Sequence, residues 1–155
     1  MRPAHRGYLQ TLRCEAPLAE LWRALVLPEG LGLWLAEEAW VDARPGGSYR
    51  YRSRLFGMRQ AHIDAIEPGR RLRLVYDPNP DWPPAGDSVI VEDFLLDTRG
   101  TGTARPQSQL RILGSGVPAG PEWRTPHRRL QAGWAVAFSY LQRCLDARQL
   151  ERLAS

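Results

Sequence analysis

Two adjacent acids, Glu92 and Asp93, interrupt an otherwise apolar run in this 155-residue chain. The run, Ser88 to Asp97, predicts a β-strand, in which successive side chains point to opposite faces. Glu92 then shares a face with Phe94, and Asp93 lies on the other face. Whichever face is buried, one carboxylate is buried with it. That group must pair with a cation, become neutral or face a wet cavity.

The bulkier neighbours of Glu92 favour it over Asp93 as the inward acid. Two roles stay open for it. It forms a structural ion pair with a buried arginine such as Arg105 or Arg111, or it orients a polar ligand or acts as an acid or base. If the strand register differs by one residue, Asp93 takes this place instead.

Three tyrosines lie on the apolar side of strands that alternate in polarity. Tyr49 and Tyr51 belong to the predicted strand Ser48 to Leu55, and Tyr76 ends the strand Arg71 to Tyr76. Their rings should face the interior, where each hydroxyl needs a hydrogen-bond partner. They either pack as plain core residues or line a pocket.

A long amphipathic C-terminal helix is predicted to begin near Pro126 or slightly before, with Trp134 and Phe138 on its apolar stripe. Trp34 and Trp82 lie near predicted turns, where the mouth of a pocket would be. If sheet and helix enclose an apolar cavity, the candidate ligand-binding residues are Trp34, Tyr49, Tyr51, Tyr76, Trp82, Glu92, Phe94, Leu110, Ile112, Trp134 and Phe138.

Other chemistries find little support in the residue pattern. The three histidines do not recur at metal-ligand spacing, and no nucleophile elbow or phosphate-binding loop is present. We therefore assign no catalytic residue, metal or cofactor. The net charge is +4, but the arginines, which are the chain's only basic residues besides histidine, are spread along it. Nucleic-acid binding is not expected.

The order of predicted elements is one strand, two short helices, six strands and the long helix. Strands joined by short turns predict an antiparallel meander with the helices on one side, an α+β domain of about seven strands covering residues 1–155. Two loops, Asp77 to Gly86 and Gly114 to Pro121, should flank the pocket mouth. The last strand is predicted over Thr103 to Leu113, after a turn at Gly100 to Gly102.

The apolar runs are too short for a membrane span, and the N-terminus lacks the apolar segment of a signal peptide. We expect a cytoplasmic protein without stable membrane insertion. The sequence leaves its oligomeric state open.

Several segments together resemble a known superfamily. They are Pro17 to Trp34, Arg44-Pro45-Gly46-Gly47 before an aromatic strand, Glu67 to Leu72, Gly102-Thr103 before a strand, and Gly133-Trp134 in the last helix. Their order resembles the helix-grip superfamily of START domains and the birch-pollen allergen. Within it, the chain is most similar to the family of the activator of the ninety-kilodalton heat-shock chaperone ATPase. This resemblance implies a curved sheet that grips the long helix, with a cavity between them.

The resemblance does not imply one activity. Our leading hypothesis is a protein, more a binder than an enzyme, that holds a small hydrophobic molecule such as a lipid, fatty acid or aromatic metabolite. The alternatives are a cyclase- or hydrolase-like enzyme that uses Glu92 with a tyrosine, and a co-chaperone-like interaction module with a chaperone partner. A filled interior favours the interaction module. An open cavity favours an enzyme if a carboxylate and a tyrosine meet there, and a carrier if they do not.

Overall fold

The structure is a computed structural model that describes residues 5–99 and 106–153. Its strands are β1 (His5–Cys14), β2 (Glu38–Val41), β3 (Ser48–Ser53), β4 (Gly57–Glu67), β5 (Arg71–Tyr76), β6 (Val91–Thr98) and β7 (Ser108–Pro118). Its helices are α1 (Leu18–Val26), α2 (Pro28–Trp34) and α3 (Arg124–Asp146), with short 3-10 turns at Pro121–Trp123 and Leu150–Arg152.

The strands form one antiparallel sheet in the order β1-β7-β6-β5-β4-β3-β2. Strands β2 to β7 follow the chain as a meander, and β1 pairs with β7 at one edge of the sheet. Helix α3 contacts β1 and α2. The curved sheet with two short helices and a long C-terminal helix confirms the predicted α+β class.

The strands form because apolar and polar residues alternate along them. In β3, Tyr49 and Tyr51 are buried and the alternating Arg50 and Arg52 are exposed. In β6, Glu92 and Phe94 are buried while Asp93 on the other face is half-buried. The register of both strands is therefore the one that the alternation predicts.

Helix α3 buries the predicted stripe and begins two residues before Pro126. Its buried residues are Leu130, Gly133, Trp134, Ala137, Phe138, Leu141, Cys144 and Leu145. Gly133 lets the sheet side approach closely, because a Cβ atom there would lie 2.3 Å from a ring carbon of Phe56. The close approach brings the Phe56 and Trp134 rings to 5.0 Å between centroids.

The expected loop at Gly114 to Pro121 is wrong for most of its length. Strand β7 continues to Pro118 and pairs along β1. Gly114 and Gly116 weaken the strand pattern in the sequence. Gly114 nevertheless pairs with both neighbouring strands, and Gly116 lies at the irregularity in the β1–β7 pairing with φ of +82°. A side chain at either position would clash with a neighbour. Strand β7 begins at Ser108, after Pro106, and the predicted turn Gly100 to Gly102 and strand start at Thr103 lie outside the described residues.

Strand β6 begins at Val91, three residues later than predicted. Within residues 5–99 and 106–153, no helix is both long and apolar enough to cross a membrane.

Candidate functional site

The carboxylate of Glu92 lies at the centre of a buried hydrogen-bond network. Glu92 is 0% exposed on the inner face of β6. On the outer face, Asp93 instead forms ion pairs with Arg71 and Arg73, at 3.1 and 2.9 Å. The inward acid is therefore Glu92.

Four side chains from four different elements donate hydrogen bonds to Glu92. Its Oε2 accepts from the hydroxyl of Tyr8 at 2.5 Å, from Nη1 of Arg59 at 2.9 Å and from Nε1 of Trp134 at 2.9 Å. Its Oε1 accepts from the hydroxyl of Tyr76 at 2.6 Å. The carboxylate thus ties β1, β4, β5 and α3 together at one point.

The cation that compensates Glu92 is Arg59 rather than Arg111. Arg111 lies on the other face of the sheet, opposite Leu95, and Arg105 is outside the described residues. Burial alone would lower the pKa of Arg59, but the Glu92 carboxylate and nearby tyrosines raise it well above its usual value. Arg59 and Glu92 therefore form a charged pair whose net charge is zero.

Arg59 also organises the tyrosines around it. Its Nη1 donates to the hydroxyl of Tyr51 at 3.0 Å, and the hydroxyls of Tyr51 and Tyr76 are 3.1 Å apart. The guanidinium carbon lies 3.7 Å from the centre of the Tyr76 ring, a cation–π contact. Tyr49 stands apart from this network and donates to the carbonyl of Leu25 at 2.6 Å.

Burial makes these tyrosines poor acids. It raises the pKa of Tyr51 to about 12, and it raises the pKa of Tyr8, Tyr49 and Tyr76 well above the usual value. Their hydroxyls therefore act as neutral hydrogen-bond donors at physiological pH. Because Glu92 already accepts four hydrogen bonds, the arrangement is suited to holding shape rather than to moving protons.

Aromatic side chains fill the space between the sheet and α3. The Trp134 ring contacts the rings of Phe56, Phe94, Phe138 and Trp34 at centroid distances of 5.0, 5.6, 6.2 and 6.4 Å. Leu110 and Ile112 are fully buried in the same hydrophobic core. Five of the eleven predicted ligand-binding residues thus meet at this point, namely Trp34, Glu92, Phe94, Trp134 and Phe138.

A pocket of about 410 Å³ lies beside this packed interior, under the segment that joins β5 to β6. Two of the predicted site residues, Tyr76 and Trp82, line it together with Arg59. The other lining residues are Met58, Gln60, Asp77, Pro78, Asn79, Pro80, Asp81, Pro83, Pro84, Ala85, Gly86, Ser88, Val89, Ile90 and Trp123.

The roof of the pocket is held by contacts to β4 and to the start of α3. Asn79 Nδ2 donates to the carbonyl of Met58 at 3.1 Å, and Trp123 Nε1 donates to the carbonyl of Pro84 at 3.1 Å. The rings of Trp82 and Trp123 meet edge to face at 5.9 Å. The segment Asp77 to Gly86 therefore covers this pocket, which is not the predicted cavity between the sheet and α3 whose mouth the segment was expected to flank.

Three residues of the site escaped the sequence analysis. Arg59 precedes Ala61 and Ile63 on the buried side of β4, and this parity could have marked it as an inward-facing arginine. Tyr8 likewise shares the buried side of β1 with Leu12. Trp123 precedes α3 and carried no comparable signal. In the described part of the chain, no group of His, Cys, Asp or Glu could hold a metal ion.

Comparisons with known proteins agree with this architecture. A crystal structure of a Mesorhizobium loti protein superposes with a TM-score of 0.75 at 25% identity, covering 92% of this chain and 98% of that one. The Aha1 dimer from Colwellia psychrerythraea gives a TM-score of 0.69 at 17% identity, covering 90% and 96%. An HSP90 activator from Plasmodium falciparum gives 0.63 at 16% identity, covering 83% and 86%.

A search of curated protein sequences found no significant match. The family described as activator of Hsp90 ATPase homolog 1-like protein matches residues 15–146. With the sheet gripping α3 as in these structures, the chain belongs to this family and has its helix-grip, START-like fold.

Proposed function

We propose that the protein binds a small, largely apolar molecule in the pocket beneath the β5–β6 segment. The observation that carries the proposal is the pocket itself, with prolines and two tryptophans in its walls and the Arg59 side chain at its inner end. Its volume of about 410 Å³ is in the range of small-molecule sites.

Desolvation of the ligand's apolar body against Trp82, Trp123 and Ile90 would supply most of the affinity. Arg59 and Tyr76 would orient its polar end. The residues packed around Trp134 would then form the rigid wall behind the site. A second ligand cavity between the sheet and α3 is a separate hypothesis. A cytoplasmic location remains part of the same proposal.

Binding fits the geometry better than catalysis by Glu92 and a tyrosine. A general acid or base needs a pKa near the working pH, whereas burial raises the pKa of Tyr51 and Tyr76. Arg59 also holds Glu92 in an ion pair. These groups are better suited to orienting a ligand than to proton transfer.

A co-chaperone role is the second candidate. The family name and the filled interior between sheet and α3 both favour it, since a protein-interaction module needs no cavity there. Its partner would be a chaperone ATPase. Stimulation of that ATPase by the purified protein would support this role, and it would be unaffected by a variant that fills the pocket.

The neutral dye Nile red tests the proposal, together with native mass spectrometry of the gently purified protein to detect a bound molecule. We expect saturable dye binding that weakens about tenfold or more in Trp82→Ala, which removes an aromatic wall, and in Ala85→Trp, which fills the pocket. Trp40→Ala is the matched control, because Trp40 is 47% exposed on the edge strand β2. Circular dichroism checks that each variant folds.

The proposed pocket would be contradicted if the wild type showed no saturable binding. It would also be contradicted if Trp82→Ala and Ala85→Trp bound the dye as tightly as the wild type does. Equal loss in Trp40→Ala would show that the dye reports exposed tryptophan rather than this site.

A further inference from the structure

We infer that the pocket selects ligands whose inner end is an uncharged hydrogen-bond acceptor, such as a ketone, ester or amide, and rejects the same skeleton with a carboxylate there. This inference rests on the proposed function and specifies its ligand. It would exclude the free fatty acids of the leading hypothesis and admit their esters.

The positive charge of Arg59 is already matched inside the protein. Its Nη1 is 2.9 Å from Oε2 of Glu92 and 3.0 Å from the Tyr51 hydroxyl. Among the residues that line the pocket, Arg59 is the sole cationic side chain. An anion arriving at this point would therefore meet a neutral pair rather than a free cation.

Arg59 can still donate a hydrogen bond to a ligand. A guanidinium carries five N–H groups, and both of its hydrogen bonds described above leave from Nη1. The remaining N–H groups on Nε and Nη2 suit the lone pairs of a carbonyl oxygen. The inner end of the pocket thus offers a donor without offering net charge.

Dehydration works against a carboxylate at this position. The side chain of Arg59 is 2% exposed, so an atom that contacts it loses nearly all its water. An ionised group loses much more hydration free energy than a carbonyl does. A ligand carboxylate would also approach Glu92, and two carboxylates that share one cation repel each other.

The rim of the pocket adds to this preference. Asp77 and Asp81 line the pocket and are exposed to solvent. Neither takes part in an ion pair among the described residues. Arg59 and Glu92 cancel, so the two aspartates leave the lining of the pocket negative. Their repulsion of an anion is weakened by salt, because they face water.

Three probes of one skeleton test the inference: naphthyl methyl ketone, naphthoate and naphthalene, titrated at neutral pH by tryptophan fluorescence and calorimetry. We expect the ketone to bind about tenfold tighter than naphthoate, because one buried like-charge contact changes affinity by at least that factor. The ketone should also bind tighter than naphthalene, which lacks an acceptor.

The variant Asp77→Asn/Asp81→Asn separates the rim from the interior. Both side chains are exposed, so the fold should tolerate the change, and naphthoate should gain several-fold while the ketone is unchanged. High salt should have the same effect on the wild type and little effect on the variant.

The inference would be overturned if naphthoate or naphthalene bound as tightly as the ketone. The proposed binding pocket would still stand in that case. If none of the three binds, or if Ala85→Trp binds all three as the wild type does, the proposed function fails and the inference fails with it.

Discussion

The ring of Tyr8 lies against the bare backbone of Gly114, and this contact carries its hydroxyl to Glu92. Gly114 is paired with Tyr8 on one side and with Glu92 on the other. A Cβ atom at Gly114 would lie 2.0 Å from the ring of Tyr8. Because Gly114 has no side chain, the Tyr8 side chain of β1 can cross over β7 and place its hydroxyl on the buried carboxylate.

Gly114→Ala should destabilise the fold by about 2 kcal/mol or more. The methyl group overlaps the Tyr8 ring, so the ring must move and Glu92 loses one of its four donors. Urea unfolding measures the effect. Gly32→Ala is the control, because a Cβ there meets nothing within 4 Å. In helix α2 this change should stabilise the fold by about 0.5–1 kcal/mol, since alanine favours the helix over glycine. A neutral Gly114→Ala would show that Tyr8 is not held in this position.

Glu92→Gln should cost about 3–5 kcal/mol, because it leaves the buried guanidinium of Arg59 without its counter-charge. Asp93→Asn is the matched change on the outer face, where the Asp93 side chain is 19% exposed, and should cost about 1 kcal/mol. Thermal and urea unfolding compare the two. Similar losses, or a larger loss for Asp93→Asn, would contradict the assignment of Glu92 as the key buried acid.

The sequence predicted the antiparallel meander and the inward side of β3, β5 and β6, because alternation is a local property. Tyr49, Tyr51 and Glu92 all face inward as their parity requires. The strand character of residues 114–118 was missed, because glycines that serve close packing look like loop residues when only local propensity is considered.

The ion-pair partner of Glu92 depends on a long-range contact. Arg59 and Glu92 are 33 residues apart and meet because β4 and β6 flank β5. Parity could nominate Arg59, but it could not rank it against other arginines. This pocket could not be predicted from the sequence either. Its walls come from β4, the β5–β6 segment and Trp123, which only the folded chain brings together.

Arg148→Gly should stabilise the protein by about 0.5 kcal/mol. Helix α3 ends in a Schellman motif, in which Gln149 N donates to the carbonyl of Cys144 and Arg148 N to that of Leu145. Arg148 has φ of +56° at the position that glycine favours. Glycine removes the steric cost there, offset in part by the greater entropy of the unfolded chain. Arg148→Ala keeps the strain and should give no gain in urea unfolding.

The buried tyrosines predict cooperative unfolding in alkali. The pKa of Tyr51 rises from its ordinary value of 10 to about 12, and those of Tyr8, Tyr49 and Tyr76 rise well above 10. Above pH 10 the unfolded chain loses these protons while the folded chain keeps them. The unfolded state then binds fewer protons, so stability is complete below pH 10 and falls as pH rises towards 12 and beyond.

The free energy of unfolding should therefore fall by about 1.4 kcal/mol per pH unit for each such tyrosine. Urea unfolding across this range measures the slope, and near-ultraviolet tyrosinate absorbance shows when the rings ionise. Tyr49→Phe should reduce the slope by the contribution of one tyrosine, about 1.4 kcal/mol per pH unit. Tyr49 suits this test because it is hydrogen-bonded to a carbonyl and stands outside the Glu92 network. Ionisation of the buried tyrosines before the fold is lost, or an unchanged slope in Tyr49→Phe, would contradict this account.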